Sequence, residues 1–98
     1  MKLSEAILEG CKKRPTKVVG TYIVGSTGAC ALGAAVAAMP TSVLNTLDVT
    51  KIFPELNKSM RDPISHRQAS LFKIIVHLND QVGWTREHIA QWVAKRGF

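Results

Sequence analysis

Three groups of side chains in this sequence have types and spacings that chemistry can use. The first is Cys30, which follows Gly25-Ser-Thr-Gly28-Ala and opens an alanine-rich run ending at Met39. In the first turn of a helix a thiolate is stabilised by the amide dipoles, as in cysteine nucleophiles. His77 with Asn79 or Asp80 then supplies the order Cys, His, Asn. The plainer reading is a packed core thiol, because the run is dense in Ala and buries small side chains. His77 falls on a polar face and needs no partner there. A Cys-dependent enzyme using Cys30 and His77 is therefore kept as an alternative, and the balance leans toward no enzyme.

The second group is Gly25, Ser26, Thr27 and Gly28, between a β-branched run and a helix, where backbone amides could cradle an anion. No Lys-Ser/Thr follows the glycines, so the segment is not a P-loop, and it is not G-x-G-x-x-G. A turn needing positive φ explains the glycines equally well. The third group follows helix-turn-helix spacing: Gly83, Trp84, Thr85, Ile89 and Trp92, with Leu78 and Val82 upstream. On that reading Thr85, Arg86, His88 and Gln91 face a DNA groove, while Lys95 and Arg96 meet phosphate. Glu87 would lie among them as an unhelpful charge, and Asn79 stands where a small residue is usual. An ordinary helical hairpin uses the same turn chemistry. The histidines His66, His77 and His88 and the cysteines Cys11 and Cys30 are too widely spaced to form a local ligand pair, so neither metal nor cofactor is expected. Trp84 and Trp92 read as staple and core rather than as a platform for bases.

The elements that must position these groups are mainly α with a small β element, an α+β class in a single domain spanning residues 1–98. Ser4 is placed to cap a first helix ending near Arg14, with Leu3, Ile7 and Cys11 on one face and Pro15 stopping it. Val18 to Val24 has the β-branched and aromatic content of a strand or short hairpin. An Ala-rich helix runs from Cys30 to Met39. Thr41 is placed to cap one or two turns through Leu47, and Val49 to Phe53 reads as extended. Ser65-His-Arg-Gln68 has the form of a capping box, opening a helix with Ala69, Phe72, Ile75 and Val76 inward, widened by Leu71 and Leu78. Asn79 to Gly83 then makes a turn. Thr85 caps the last helix, with Trp84 and Ile89 as a hydrophobic staple.

Composition narrows the class of partner. The chain has 98 residues and a net charge of +6, from 13 basic and 7 acidic side chains. That surplus favours nucleic acid or an acidic protein or nucleoprotein surface, although cations in a helix's last turn also answer its dipole. Two cysteines make no disulfide framework, and Met1-Lys2 leads into a polar helical pattern rather than an apolar leader, so a reducing, cytoplasmic setting is expected. Val18 to Met39 carries no charge, but Gly20, Gly25, Gly28 and Gly33 with Thr21, Ser26 and Thr27 break it into short elements rather than a membrane span. At this size a homodimer would supplement a small core.

Cys30-Ala-Leu-Gly-Ala-Ala35 after an N-terminal Leu-Ser-Glu-Ala-Ile helix, and His77-Leu-Asn-Asp80 before Trp84-Thr-Arg-Glu87, Ile89-Ala90 and Trp92-Val93, resemble strings in a group of small, uncharacterised bacterial and phage-associated proteins. The resemblance spans both ends of the chain and leaves residues 40–65 unmatched. It implies a bacterial or phage setting and a shared architecture, and assigns no activity. The expectation is a small non-enzymatic binding module acting on nucleic acid or a nucleoprotein or protein partner, in a regulatory or host-interaction role. A helix-turn-helix DNA-binding protein is a further alternative.

Overall fold

In the computed structural model, which describes residues 1–39 and 49–98, small residues determine how the first helices meet. Helix α1 (Leu3–Lys13) buries Leu3, Ser4, Ala6, Ile7 and Gly10 along one face. It carries Glu5 in its first turn and Lys12 and Lys13 in its last, the order that suits the helix dipole. Helix α2 (Ala31–Ala37) crosses it so closely that a Cβ on Gly10 would lie 1.7 Å from the Ala34 carbonyl oxygen. On its other side, a Cβ on Gly33 would lie 1.9 Å from the Tyr22 carbonyl oxygen. The alanine and glycine content of 30–39 is thus a condition of two backbone approaches at once. Ser4 does not cap α1 as expected: Lys2 is the N-cap, and no side chain caps there. The Ser4 amide instead donates to the Phe98 carbonyl at 3.1 Å, so the far end of the chain satisfies it.

The strand reading of 18–24 holds only at its end. Strands β1 (Thr16–Lys17), β2 (Ile23–Val24) and β3 (Gly28–Ala29) form a small sheet in the order β1-β3-β2. β1 runs parallel to β3 and β2 runs antiparallel to it, pairing Ile23 with Ala29 and Val24 with Gly28. Gly20, at φ +77°, bends the run out of extended conformation before β2 begins.

The second half departs more from the local signals. Val49–Ile52, expected to be extended, is a short helix α3 whose Val49 is buried, and Pro54–Asn57 follows as a 3₁₀ turn. β4 (Ser59–Arg61) pairs antiparallel with β5 (Gln68–Ser70). The turn between them belongs to Asp62, whose Oδ1 accepts the amides of Ile64 at 2.7 Å and Ser65 at 3.0 Å. The capping box at Ser65–Gln68 therefore does not form, because Ser65 is committed to that turn and Gln68 pairs with Arg61. Helix α4 (Leu71–His77) starts later, capped by Ser70, whose Oγ accepts the Lys73 amide. Its inward face is Leu71, Ile74 and Ile75, with Phe72 and Val76 half-buried at the margin.

Asn79 to Gly83 is not a simple turn: Leu78–Val82 continues α4 as a π-helical turn, and Gly83 at φ 84° ends it. Helix α5 (Arg86–Lys95) is capped as expected by Thr85, whose Oγ1 accepts the His88 amide at 3.0 Å. Trp84 lies flat against His88, with ring centroids 3.8 Å apart. α5 packs chiefly on α1, so the C-terminal helices do not form a self-contained pair. The architecture is mainly α with a small β component, the expected class, around a core that includes Leu3, Ile7, Leu32, Leu71, Ile75, Leu78, Ile89 and Val93. The turns expected from Thr41 to Leu47 lie outside the described residues. Among the described residues no helix is long and apolar enough to cross a membrane.

Candidate binding site beside Cys30

Between the 20–22 loop, the start of α2 and the outer face of α4 lies a cavity of about 260 Å³. Leu32, Phe72, Ile75 and Val76 supply apolar walls, and Cys30, Asn79 and Asp80 supply polar groups. Asn79, fully buried, is the hub that assembles it. Its Oδ1 accepts the Ala31 amide at the start of α2, and its Nδ2 donates to the Val18 carbonyl and to Asp80 Oδ1. Asp80 Oδ2 accepts the Gly20 amide at 3.1 Å. The π-helical turn thus holds both the hairpin loop and α2. The residue that looked awkward as a helix-turn-helix spacer is where it is because it caps another helix.

Cys30 is the N-cap of α2, and its Sγ accepts the Gly33 amide at 3.3 Å. Burial pushes its thiol up, and this outweighs the lowering by backbone amides. The group is therefore a neutral thiol in a cap. His77 does not complete a catalytic pair with it: His77 Nδ1 lies 2.8 Å from Asp62 Oδ2 and is absent from the cavity lining. Burial also raises Asp62, but the amides of Ser65 and Ile64 and the imidazole of His77 outweigh that and hold its carboxyl below the ordinary value.

The proposed anion cradle is answered from within. Gly25, Ser26 and Thr27 are exposed turn residues and Gly28 is buried in β3. The helix that follows has its Ala31 and Gly33 amides already taken by Asn79 and Cys30, so no free amide funnel is left at its start. Arg14, half-buried, donates to the carbonyls of Gly25 and Gly28 and makes this turn part of the scaffold.

The DNA-facing set is split. Thr85, His88, Gln91, Lys95 and Arg96 are exposed on α5, with Arg96 over the Trp92 ring at 5.1 Å. Arg86 is not available to a groove: it is 4% exposed, and its guanidinium donates to the carbonyls of Arg14, Ala29 and Pro15. It caps the C-terminus of α1 from α5, a cation at the negative end of a helix. Sequence reasoning assigned it to the surface because nothing local reveals that three carbonyls converge on it.

A second feature escaped the sequence. Val19, Tyr22, Ile23 and Val24 are 57%, 44%, 38% and 52% exposed, four large apolar side chains within six residues, with Ile23 and Val24 on opposite faces of β2 and Tyr22 at the cavity rim. Large apolar side chains normally bury, so four exposed ones within six residues of an uncharged stretch stand apart from singly scattered surface residues. Among the described residues, no group of three His, Cys, Asp or Glu is gathered as a metal site would require. No family model, curated protein or solved structure matches this chain.

Proposed function

We propose that the chain is a binding module without chemistry of its own, and that it receives a protein through the 19–24 hairpin and the adjoining cavity. One observation carries this reading: four exposed large apolar side chains lie along residues 19–24, which border an apolar cavity. A surface of this kind loses water favourably on contact with another protein and offers nothing to phosphate. The neutral Cys30 thiol and the engagement of His77 with Asp62 support a binding role over a nucleophilic one. The runner-up is nucleic-acid binding through the exposed Thr85, His88, Gln91, Lys95 and Arg96; it loses Arg86.

Two parallel assays separate these readings. A displayed random-peptide library is panned against the wild type and against an Ile23→Lys/Val24→Lys variant. Duplex DNA is titrated by fluorescence anisotropy at several salt concentrations, with the wild type and a Lys95→Ala/Arg96→Ala variant. The expected result is enrichment of peptides on the wild type that the hairpin variant abolishes. No hairpin-dependent enrichment, together with DNA binding that weakens with salt and collapses in the charge variant, would overturn the proposal.

A further inference from the structure

Resting on the reading above, we infer that the occupant is an extended peptide segment that adds to the edge of β2 and lodges one hydrogen-bonding aromatic side chain, Trp or Tyr, beside Asp80. The edge is set by the alternation of an antiparallel ladder. The Cys30 amide donates to the Tyr22 carbonyl, and the register then pairs Ile23 with Ala29 in a position where neither bonds the other. Ala29 turns its carbonyl the other way, to the Val18 amide. Ile23 therefore turns its N–H and C=O away from β3, toward the open side of the sheet. An extended segment can pair there, as strands add to exposed sheet edges.

The cavity selects the side chain. At about 260 Å³ it falls below the roughly 300–1,000 Å³ of sites for drug-sized ligands, a volume that matches one ring system. Its walls include Tyr22 and Phe72, whose rings favour offset or edge contacts with another aromatic. Asp80 is the one carboxylate among the described residues lining it. Gly20 and Asn79 each take one of its oxygens, and a carboxylate has about four acceptor positions, so capacity remains for a further donor. An indole N–H or phenol O–H supplies that donor, whereas Phe or Leu does not.

The test is a titration of the ¹⁵N-labelled chain with Ac-Val-Trp-Val-NH₂ and with Ac-Val-Leu-Val-NH₂, in the wild type and in Val76→Phe, which narrows the cavity from its half-buried wall. The tryptophan peptide is expected to give saturable shifts at the amides of Gly20 to Val24, Cys30 and Ala31. The leucine peptide and the Val76→Phe variant should each weaken binding about tenfold or more. Nuclear Overhauser contacts from the peptide indole to the methyl groups of the half-buried Val76 give a readout in the wild type that needs no variant. Scattered or unsaturable shifts, or no indole contact to those methyls, overturn the inference. Library peptides that depend on the hairpin but make no such contact would sink this inference alone and leave the protein-binding reading standing. Loss of both would sink the two together.

Discussion

Arg86 shows how far a single side chain can depart from its apparent role. Its guanidinium joins the end of α1, the start of β1 and strand β3 through bonds of 2.6, 2.8 and 3.2 Å to the carbonyls of Arg14, Pro15 and Ala29. Arg86→Ala would remove the donor from the part-buried Arg14 and Pro15 carbonyls, while Ala29 keeps the Val18 amide, and is expected to lower stability by about 1–3 kcal/mol in urea unfolding. Arg86→Lys should recover only part of that, because an ammonium lacks the planar fork. A loss within about 0.5 kcal/mol, the usual range of a surface substitution, would show that the contacts are not made in solution. At Cys30 and Cys11 burial raises both thiols, so alkylation by iodoacetamide should need higher pH than a free cysteine does. The half-buried Cys11 should react ahead of the buried Cys30; the reverse order would revive a nucleophilic Cys30. Asp62 has a depressed folded-state pKa, so its contribution is present above the unfolded value of 3.8 and lost as pH falls through the lower folded value. Asp62→Asn should therefore flatten the acid limb of a stability-against-pH curve, and an unchanged limb would refute the assignment.

At the scale of elements, caps and close approaches govern the structure. The helix expected to open at Ser65 opens at Ser70, because Asp62 captures the Ser65 amide and β5 pairs with β4 before the helical pattern begins. Ser70→Ala should cost about 1 kcal/mol, a usual cap loss, while Ser65→Ala, with one exposed bond to Arg67, should cost less. Equal losses in thermal unfolding would count against the later start. Gly10→Ala places a methyl inside the van der Waals radius of the Ala34 carbonyl, and the helices must separate to admit it. A loss of about 3 kcal/mol or more is expected, at the upper end of overpacking effects. Thr85 was legible because an N-cap lies within three residues of the amide it serves. Asn79 was not, because it serves an amide 48 positions away.

At the scale of the whole molecule, one long stretch of the chain carries no charge. Lys12 and Lys13 end α1, and Lys95 and Arg96 lie at the end of α5, whereas Val18 to Met39 contributes no charge. The exposed 19–24 segment belongs to that uncharged stretch, and the nearest charge the structure places on its turn is Arg14, bonded to the Gly25 and Gly28 carbonyls. Asp80 stands at the junction, holding the hairpin through Gly20 and lining the cavity. Asn79→Ala would leave the Ala31 amide and the Val18 carbonyl without their partner, and should loosen hairpin and α2 together. Hydrogen exchange should then quicken at Ala31, at Gly20 and at Cys30; exchange unchanged outside residue 79 would mean that the hub is not cooperative.

The sequence by itself determined the mainly helical class, the positions of α1, α2 and α5, the Thr85 cap and the small-residue character of α2. These depend on 3.6-residue periodicity, Pro and Gly punctuation and bonds spanning a few residues, all written locally. Tertiary structure alone decided that Arg86 is an internal cap, that Asn79 and Asp80 tie α4 to the hairpin and α2, and that Cys30 faces a cavity away from His77. It also left Val19, Tyr22, Ile23 and Val24 outside the core. Each of these depends on groups brought together from distant parts of the chain, and a polar side chain's role is set by which unpaired donors and acceptors meet it there, not by its neighbours in sequence.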